Sequence, residues 1–320
     1  MPQPNQKGTD QDFVHLYRTV GPAATAKHLA TSLRQIHRRR ARIERTLNIA
    51  VNPPPDLQTW TLRPRKEYPH RLMKTVKDGT VLIGSDAHYW PGIITTAHRA
   101  FVHFCGELKP QIIILNGDVI DGAGISRHAP IGWESRPPLV EEIEAAKERL
   151  GEIKNACPKA EFIWPLGNHD ARYESRLAAV APEYAKMHGV HLKDHFGPEW
   201  QPCWSAWIND DVVVKHRFKS GIHAPHNNTM WAGKTIITGH LHSLKVMPIS
   251  DYNGTRYGVD CGTLAEPYGP QFVNYTEDNP VNWRSGFVVL TFNNGVLLPP
   301  ELVTVMAEGR VAWRGQAIHV

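Results

Sequence analysis

Residues 80–88 read TVLIGSDAH, residues 112–121 read IIILNGDVID, residues 161–170 read EFIWPLGNHD and residues 235–242 read TIITGHLH. In each, a short apolar run stops at a turn-forming residue, and aspartate, asparagine or histidine follows at once. Short apolar runs rich in β-branched residues and bounded by turn formers read as buried strands. A fifth run, VVVKH at residues 212–216, ends directly on histidine. The reading places strands at Thr80–Ser85, Ile112–Asn116, Glu161–Leu166, Asp211–His216 and Thr235–Thr238. Helices over about Ile93–Leu108 and Leu139–Ala156 separate the first three. That β-α-β-α-β order predicts parallel strands with right-handed crossovers. The second half is richer in strands: Arg256–Asp260, then Phe287 to Ile318 with a hairpin turn at Asn293-Asn294-Gly295. It implies a second, mixed sheet. The expected fold class is α/β, a sandwich of two mixed β-sheets flanked by helices, with a small all-α unit ahead of it.

Open α/β sheets place their sites at the carboxyl ends of strands. All five polar clusters stand there. Asp86 and His88 are two residues apart, so both can point the same way from a strand end. Mixed aspartate, histidine and asparagine ligation suits divalent ions such as manganese, iron or zinc. A carboxylate such as Asp118 can bridge two ions, and two ions a few ångströms apart stabilise both oxygens of a phosphoryl transfer.

The ordered set D-x-H, G-D-x-x-D, G-N-H-D, H and G-H-x-H over about residues 80–265 resembles the calcineurin-like metallophosphoesterase superfamily. The resemblance implies that superfamily's four-layer sandwich and a binuclear centre. Asp86, His88 and His242 would hold one metal, Asn168, His216 and His240 the other, and Asp118 would bridge. His169 would contact the phosphate and act as general acid, with Asp121 orienting it; Asp170 is expected to be structural. His216 is followed by Arg217 where many relatives have glycine, and His223 and His226 lie nearby, read as a solvated or substrate-facing loop. Protein phosphatases of the superfamily usually carry arginine after G-D-x-x-D, gripping phosphate; here Gly122 stands there. Arg127 or His128, in the long loop Gly122–Pro138 that also holds Trp133, are the candidate replacements. Trp283 and Trp313, in the segment after Pro267, are candidates for covering the site, for a dimer surface, or for plain packing.

The four cysteines are scattered with no C-x-x-C pair, which predicts reduced thiols. No run approaches the roughly 18–20 apolar residues of a membrane span, and the polar start MPQPNQKGTDQD has no apolar secretory core. The expectation is a cytoplasmic protein (host cytoplasm for a viral source) with no membrane partner and no clear oligomerisation signal. The net charge of +5 is concentrated at the start, where residues 1–48 carry nine Lys/Arg against three Asp/Glu.

Asp12–Val20 reads as a helix broken by Gly21-Pro22, Ala23–Ala30 as a short helix, Thr31-Ser32 as a turn, and Leu33–Leu47 as a basic helix whose Leu33, Ile36, Ile43 and Leu47 face inward. This order resembles a helix-turn-helix unit, with alanine where the tight turn usually has glycine. Arg34, Arg38, Arg39, Arg40 and Arg42 are the candidate DNA contacts. The alternative is a solvated or packed basic helix. The domains expected are 1–48 (basic helices), 49–78 (a proline-rich linker) and 79–320 (catalytic).

These observations point to a phosphodiesterase using two divalent ions, manganese first, with iron, zinc, magnesium or nickel as alternatives. The expected substrate is double-stranded DNA, cut endonucleolytically as a nick. A phosphomonoesterase or small-molecule diesterase is the runner-up, and a non-enzymatic DNA-binding regulator the third reading.

Overall fold

The computed structural model describes residues 8–47, 49–53, 68–127 and 133–320. The chain forms two compact units, Met1–Glu67 and Tyr68–Val320.

In the first unit, helix α1 spans Asp10–His28 and α2 spans Leu33–Leu47. Thr9 caps α1 in a reciprocal box with Asp12. The break expected at Gly21-Pro22 is present: Gly21 has φ of 76°, so two helical pieces meet at a kink. In the turn, Ala30 itself takes the left-handed position at φ 48°, a conformation that carries a steric cost for a residue with a β-carbon. Phe13, Tyr17, Ala26, Ile36, Ile43 and Val51 form the small core. Leu33 and Leu47, expected to face inward, are exposed. They sit at the two ends of α2, where α1 no longer covers it. Val51 belongs to this core, and Ala50 accepts a hydrogen bond from Arg18. The residues just after 48 are therefore part of the unit and not linker.

The second unit is a sandwich of two mixed sheets. Its strands are β1 (Leu72–Lys74), β2 (Gly79–Gly84), β3 (Ile112–Leu115), β4 (Glu161–Pro165), β5 (Trp200–Cys203), β6 (Ala206–Ile208), β7 (Val212–Val214), β8 (Thr235–Thr238), β9 (Lys245–Asp251), β10 (Gly254–Asp260), β11 (Gly286–Asn293), β12 (Val296–Leu297), β13 (Glu301–Ala307), β14 (Arg310–Trp313) and β15 (Gln316–His319). The larger sheet runs β15-β14-β13-β11-β2-β3-β4-β5, with β12 paired to β11; the smaller runs β1-β6-β7-β8-β10-β9. Strands β2, β3, β4 and β5 run parallel to one another, as do β7, β8 and β10. Asn294 and Gly295, at φ 49° and 79°, make the predicted hairpin turn between β11 and β12.

The alternation of side chains along each strand divides the core in two. Val81, Ile83, Ile112 and Ile114 point between the sheets and meet Ile208, Val214, Ile237 and Val259. Leu82, Ile113, Leu115 and Phe162 point the other way, beneath helices α3 (Thr96–Leu108) and α4 (Leu139–Ala156). Helix α5 spans Asp170–Val180, and α6 (Ala224–Ala232) packs on the outer face of the smaller sheet. The order helix, sheet, sheet, helix is the expected four-layer sandwich.

Two expectations change. The segment to residue 78 is not all linker: Leu72–Lys74 pairs in parallel with β6 as an edge strand, and Val76 is in the core between the sheets. His223 lies in the exposed turn that caps helix α6, as expected of a loop residue, whereas His226 lies in the first turn of α6, and both are exposed. Among the described residues no helix is long and apolar enough to cross a membrane.

Candidate metal centre

The five polar clusters leave the carboxyl ends of β2, β3 and β4 in one sheet and of β7 and β8 in the other. Beyond β2 and β3 the two chains stay joined. Asp86 N–H donates to Gly117 O, His88 N–H to Asp118 O and Tyr89 N–H to Val119 O, each at 2.9 Å. This irregular continuation needs unusual backbone. Asp86, His88 and Asp118 have φ of 51°, 41° and 51°, and in the loop after β8, His240 and His242 have 73° and 56°. Aspartate and histidine are among the few side chains that enter this left-handed region with any frequency. The glycines of the motifs answer to close approach. A β-carbon on Gly167 would lie 2.0 Å from Asp118 Oδ1, and one on Gly239 2.0 Å from Ser85 Oγ.

The arrangement brings together two groups of ligand atoms, Asp86 with His88 and His242, and Asp118 with His216 and His240, each within 4.8 Å of one another. A third group joins His88, Asp121 and His169. His242 Nε2 is 3.0 Å from Asp86 Oδ1, and His216 Nε2 is 3.0 Å from Asp118 Oδ2 and 3.9 Å from Asp86 Oδ1. His216, the position sequence left most open, is buried with Nδ1 held 2.7 Å from Asn116 O, which leaves Nε2 for the site. The Asp86 carboxylate also accepts the backbone N–H of His240 at 2.9 Å, coupling the first motif to the last.

The donor set fits divalent ions. His88 Nε2, Asn168 Oδ1, His216 Nε2 and His242 Nδ1 are buried and make no hydrogen bond. Unpaired buried polar atoms are rare and costly, and here they gather around three buried carboxylates. Burial alone would raise the pKa of Asp86, but the charges of His216 and His242 outweigh it and bring it to about 2. Burial likewise opposes ionisation of Asp121, yet hydrogen bonds from His169 and His88 hold it well below the usual range. Burial would lower His216, whereas Asp118 and Asp86 raise it to about 10. Anions sunk in a low-dielectric site draw in positive charge, as protons on imidazole or as a cation.

Asp121 Oδ1 lies 2.9 Å from His88 Nδ1 and 3.1 Å from His169 Nδ1, so one carboxylate orients two imidazoles. His169 Nδ1 is also 2.7 Å from Asp121 O. Asp170 lies beneath the site as a backbone anchor, accepting N–H from Gly167, Asp118 and Val119. Glu142 anchors the next loop by accepting from Gly122 and Ala123 at 2.6 and 3.1 Å.

Sequence reasoning missed Arg172. Its guanidinium donates to Asp121 O at 2.9 Å and lies 3.0 Å from His169 Nε2. Its Cδ is 3.6 Å from where a β-carbon on Gly122 would sit. A cation therefore does stand beside the position where Gly122 replaces arginine, reaching in from α5. The one available signal was the spacing: position i+3 from His169 on a helix shares its face. Of the two replacements proposed, Arg127 is exposed at a neighbouring cavity, and His128 lies outside the described residues. Trp283 does cover the site. It packs 4.6 Å from His242 and 5.1 Å from Phe272 and stacks on Tyr275, and all four line a cavity of about 640 Å³ over the metal ligands. Trp313 instead packs on Phe104 in the core.

Of the candidate DNA contacts, Arg39 and Arg42 pair with Asp10, and Arg40 with Glu44. Arg39 and Arg40 also lie over the rings of Phe13 and Tyr17. These three help to hold α2 on α1. Arg34 and Arg38 are exposed.

Fold and ligand set define a two-sheet α/β protein with a candidate binuclear metal centre at its strand ends. No family model and no curated protein matches the chain. Among solved structures it is similar to Yfce, a phosphoesterase from E. coli, at 14% identity, covering 69% of this chain and 97% of that one with a TM-score of 0.31. It is also similar to a dimetal phosphatase from Danio rerio at 11% identity, covering 76% of this chain and 98% of that one with a TM-score of 0.38. Likeness at this level assigns no residue roles; those rest on the site itself.

Proposed function

We propose that this chain is a divalent-metal-dependent phosphodiesterase that hydrolyses the DNA backbone, nicking duplex DNA while docked through its basic N-terminal helices. The observation that carries the phosphoester part is the meeting of two ligand groups around Asp86 and Asp118, with buried side-chain atoms of His88, Asn168 and His242 left without a hydrogen bond. Asp86, His88 and His242 would hold one ion, Asn168, His216 and His240 the other, and Asp118 both. Two ions so held would polarise phosphoryl oxygens and acidify water.

The chain's own residues supply the rest. His169 is oriented through Nδ1 by Asp121 and lines the cavity, where its Nε2 lies 3.0 Å from Arg172. That guanidinium contact holds the unprotonated ring and must give way when Nε2 carries the proton. Burial disfavours its charged form, but the Asp118 and Asp121 carboxylates raise its pKa overall. A protonated Nε2 is what a general acid to the leaving oxygen requires. Arg172, at the same cavity, gives the phosphate a second donor. The DNA part is supported by the concentration of charge in the first unit and by the exposure of Arg34 and Arg38. Incubation of supercoiled plasmid with the protein and manganese should yield open-circular product. No cleavage, alongside turnover of p-nitrophenyl phosphate, would eliminate the DNA reading.

A phosphomonoesterase is the second reading, and Arg172 is the observation that favours it. The missing arginine at 122 no longer argues against monoesters, because Arg172 brings a guanidinium to the same place.

A further inference from the structure

Beside the metal-site cavity lies a second one of about 470 Å³, sharing Asn168 and Arg172 with it. Its charged lining consists of arginines only: Arg127, Arg172, Arg176 and Arg217, with no aspartate or glutamate. Arg217 continues into a third cavity with Lys219 and His240. Surface arginines ordinarily find carboxylates, as Arg39, Arg42, Arg256 and Arg314 do here. Among the described residues, Arg127, Arg176 and Arg217 have no acidic partner.

Helix α5 builds the floor. Ala171, Ser175 and Ala179 are small and recur every four residues, so their face is open, while Arg172 and Arg176 stand one turn apart alongside. Like charges at that spacing destabilise a helix. An anion between them would offset that cost, a few tenths of a kcal/mol. The helix starts directly after Gly167-Asn168-His169, so the groove begins at the catalytic cluster and leads away from it.

We infer that this arginine groove binds the phosphate next to the scissile one along a nucleic-acid strand. The inference rests on the phosphodiesterase reading and narrows it: the substrate is a polynucleotide, read by the repeat of its backbone charge. A lone monoester or an isolated diester would leave Arg127, Arg176 and Arg217 unused. Guanidinium suits this task, because its fork of donors matches phosphate oxygens in pairs.

The test uses the full chain and the trinucleotide dTpdTpdT in three forms: both linkages natural, or a neutral methylphosphonate at the first or at the second. The all-natural form should exceed one of the two neutral isomers in kcat/KM by roughly tenfold to a hundredfold, the value of one or two charge-assisted contacts. In R176A/R217A that preference should collapse, while hydrolysis of bis-p-nitrophenyl phosphate stays at the wild-type rate. Arg172 is left intact because it touches His169. Fluorescence anisotropy of the labelled trinucleotides on EDTA-treated protein gives a readout independent of turnover. There R176K should keep part of the preference and R176A/R217A should lose it.

Equal handling of all three forms by the wild type, or a preference that survives in R176A/R217A, overturns the groove while leaving the phosphodiesterase reading untouched. Charge-dependent binding that needs Arg176 and Arg217, with no diester cleaved under any divalent ion, overturns the reaction and leaves the groove standing.

Discussion

Replacing Asp170 by asparagine should cost the larger unit about 3–5 kcal/mol, although the side chain reaches neither ligand group. Asp170 is buried and accepts five N–H donors. Oδ2 receives Gly167 at 2.8 Å, Asp118 at 2.9 Å and the Trp164 indole at 2.9 Å; Oδ1 receives Val119 at 2.9 Å and Ile120 at 3.4 Å. An amide keeps its oxygen best on the threefold side. Its NH2 then faces the N–H of Val119, and a buried donor without an acceptor costs ~1–3 kcal/mol. The three remaining bonds change from charged to neutral acceptor, at ~1 kcal/mol each. Repulsion from the Asp118 carboxylate, present only with the ionised residue, works the other way and trims the total. Burial and Asp118 push Asp170 up to about 6, so measurements at pH 8 keep it ionised. Urea unfolding followed by tryptophan fluorescence reads the effect. Trp164 is itself a partner, and all tryptophans but Trp60 lie in the larger unit. A shift under about 0.5 kcal/mol, the scale of an ordinary surface substitution, would refute the anchoring argument. An unshifted curve with lost turnover would move Asp170 into the reaction.

Three further outcomes follow from the same geometry. His169→Ala should lower kcat by ~10²–10⁴ with bound metal, measured by mass spectrometry, unchanged; metal loss would make His169 a ligand. His98 is held 3.0 Å from Tyr89 Oη and 2.7 Å from Glu152, and burial outweighs the Glu152 contact to bring its pKa down to about 4. The unfolded chain takes up that proton first, near ~6.5, so the contribution is present above that pH and lost as pH falls toward about 4, by up to ~3 kcal/mol. Urea curves at pH 7 and pH 5 should differ less in His98→Gln; an equal difference refutes the assignment. Deleting residues 1–53 should weaken plasmid binding and lower its salt slope by about two, for Arg34 and Arg38, at ~0.9 per phosphate contact; an unchanged slope removes the docking role.

How much could be read in advance depended on distance along the chain. Each candidate metal motif is local, an apolar run that forces a strand followed by polar residues at its end. The strand-end places of Asp86, His88, Asp118, Asn168, His240 and His242 were therefore legible from pattern, while their ligand roles are what the resemblance implies. Arg172 was not, because its role exists only once α5 packs beside Gly122. The arginines of α2 could be counted but not sorted; Asp10, on another helix, takes two of the five for internal pairing. Edge strand β1 hid in a proline-rich stretch, since three residues with one exposed side chain carry no periodicity and are strand only through β6. Helix α6 was concealed by Pro225 and two asparagines, and its apolar residues do not fall on one stripe.

The strained residues and the unpaired atoms are two sides of one arrangement. Five residues of the cluster, Asp86 and Asp118 included, sit in left-handed backbone, each at a cost of order 1 kcal/mol. Such conformations persist only where the surroundings over-determine them. Here they are held by the ladder that continues past β2 and β3, by Asp170 under Asp118, and by the Asp86 carboxylate on the His240 N–H. None of these contacts uses the ligand atoms His88 Nε2, Asn168 Oδ1, His216 Nε2 or His242 Nδ1. The scaffold therefore fixes the directions of the side chains independently of an ion, leaving His88 Nε2, Asn168 Oδ1 and His242 Nδ1 without a hydrogen bond and His216 Nε2 facing only the Asp118 and Asp86 carboxylates. A site built this way meets the conformational cost of binding during folding, so a cation's binding energy goes into affinity and geometry instead of ordering the chain. Asp121 joins His88 to His169, and Arg172 contacts Asp121 O and His169, so the proposed acid and phosphate donor would inherit their positions from the candidate metal cluster.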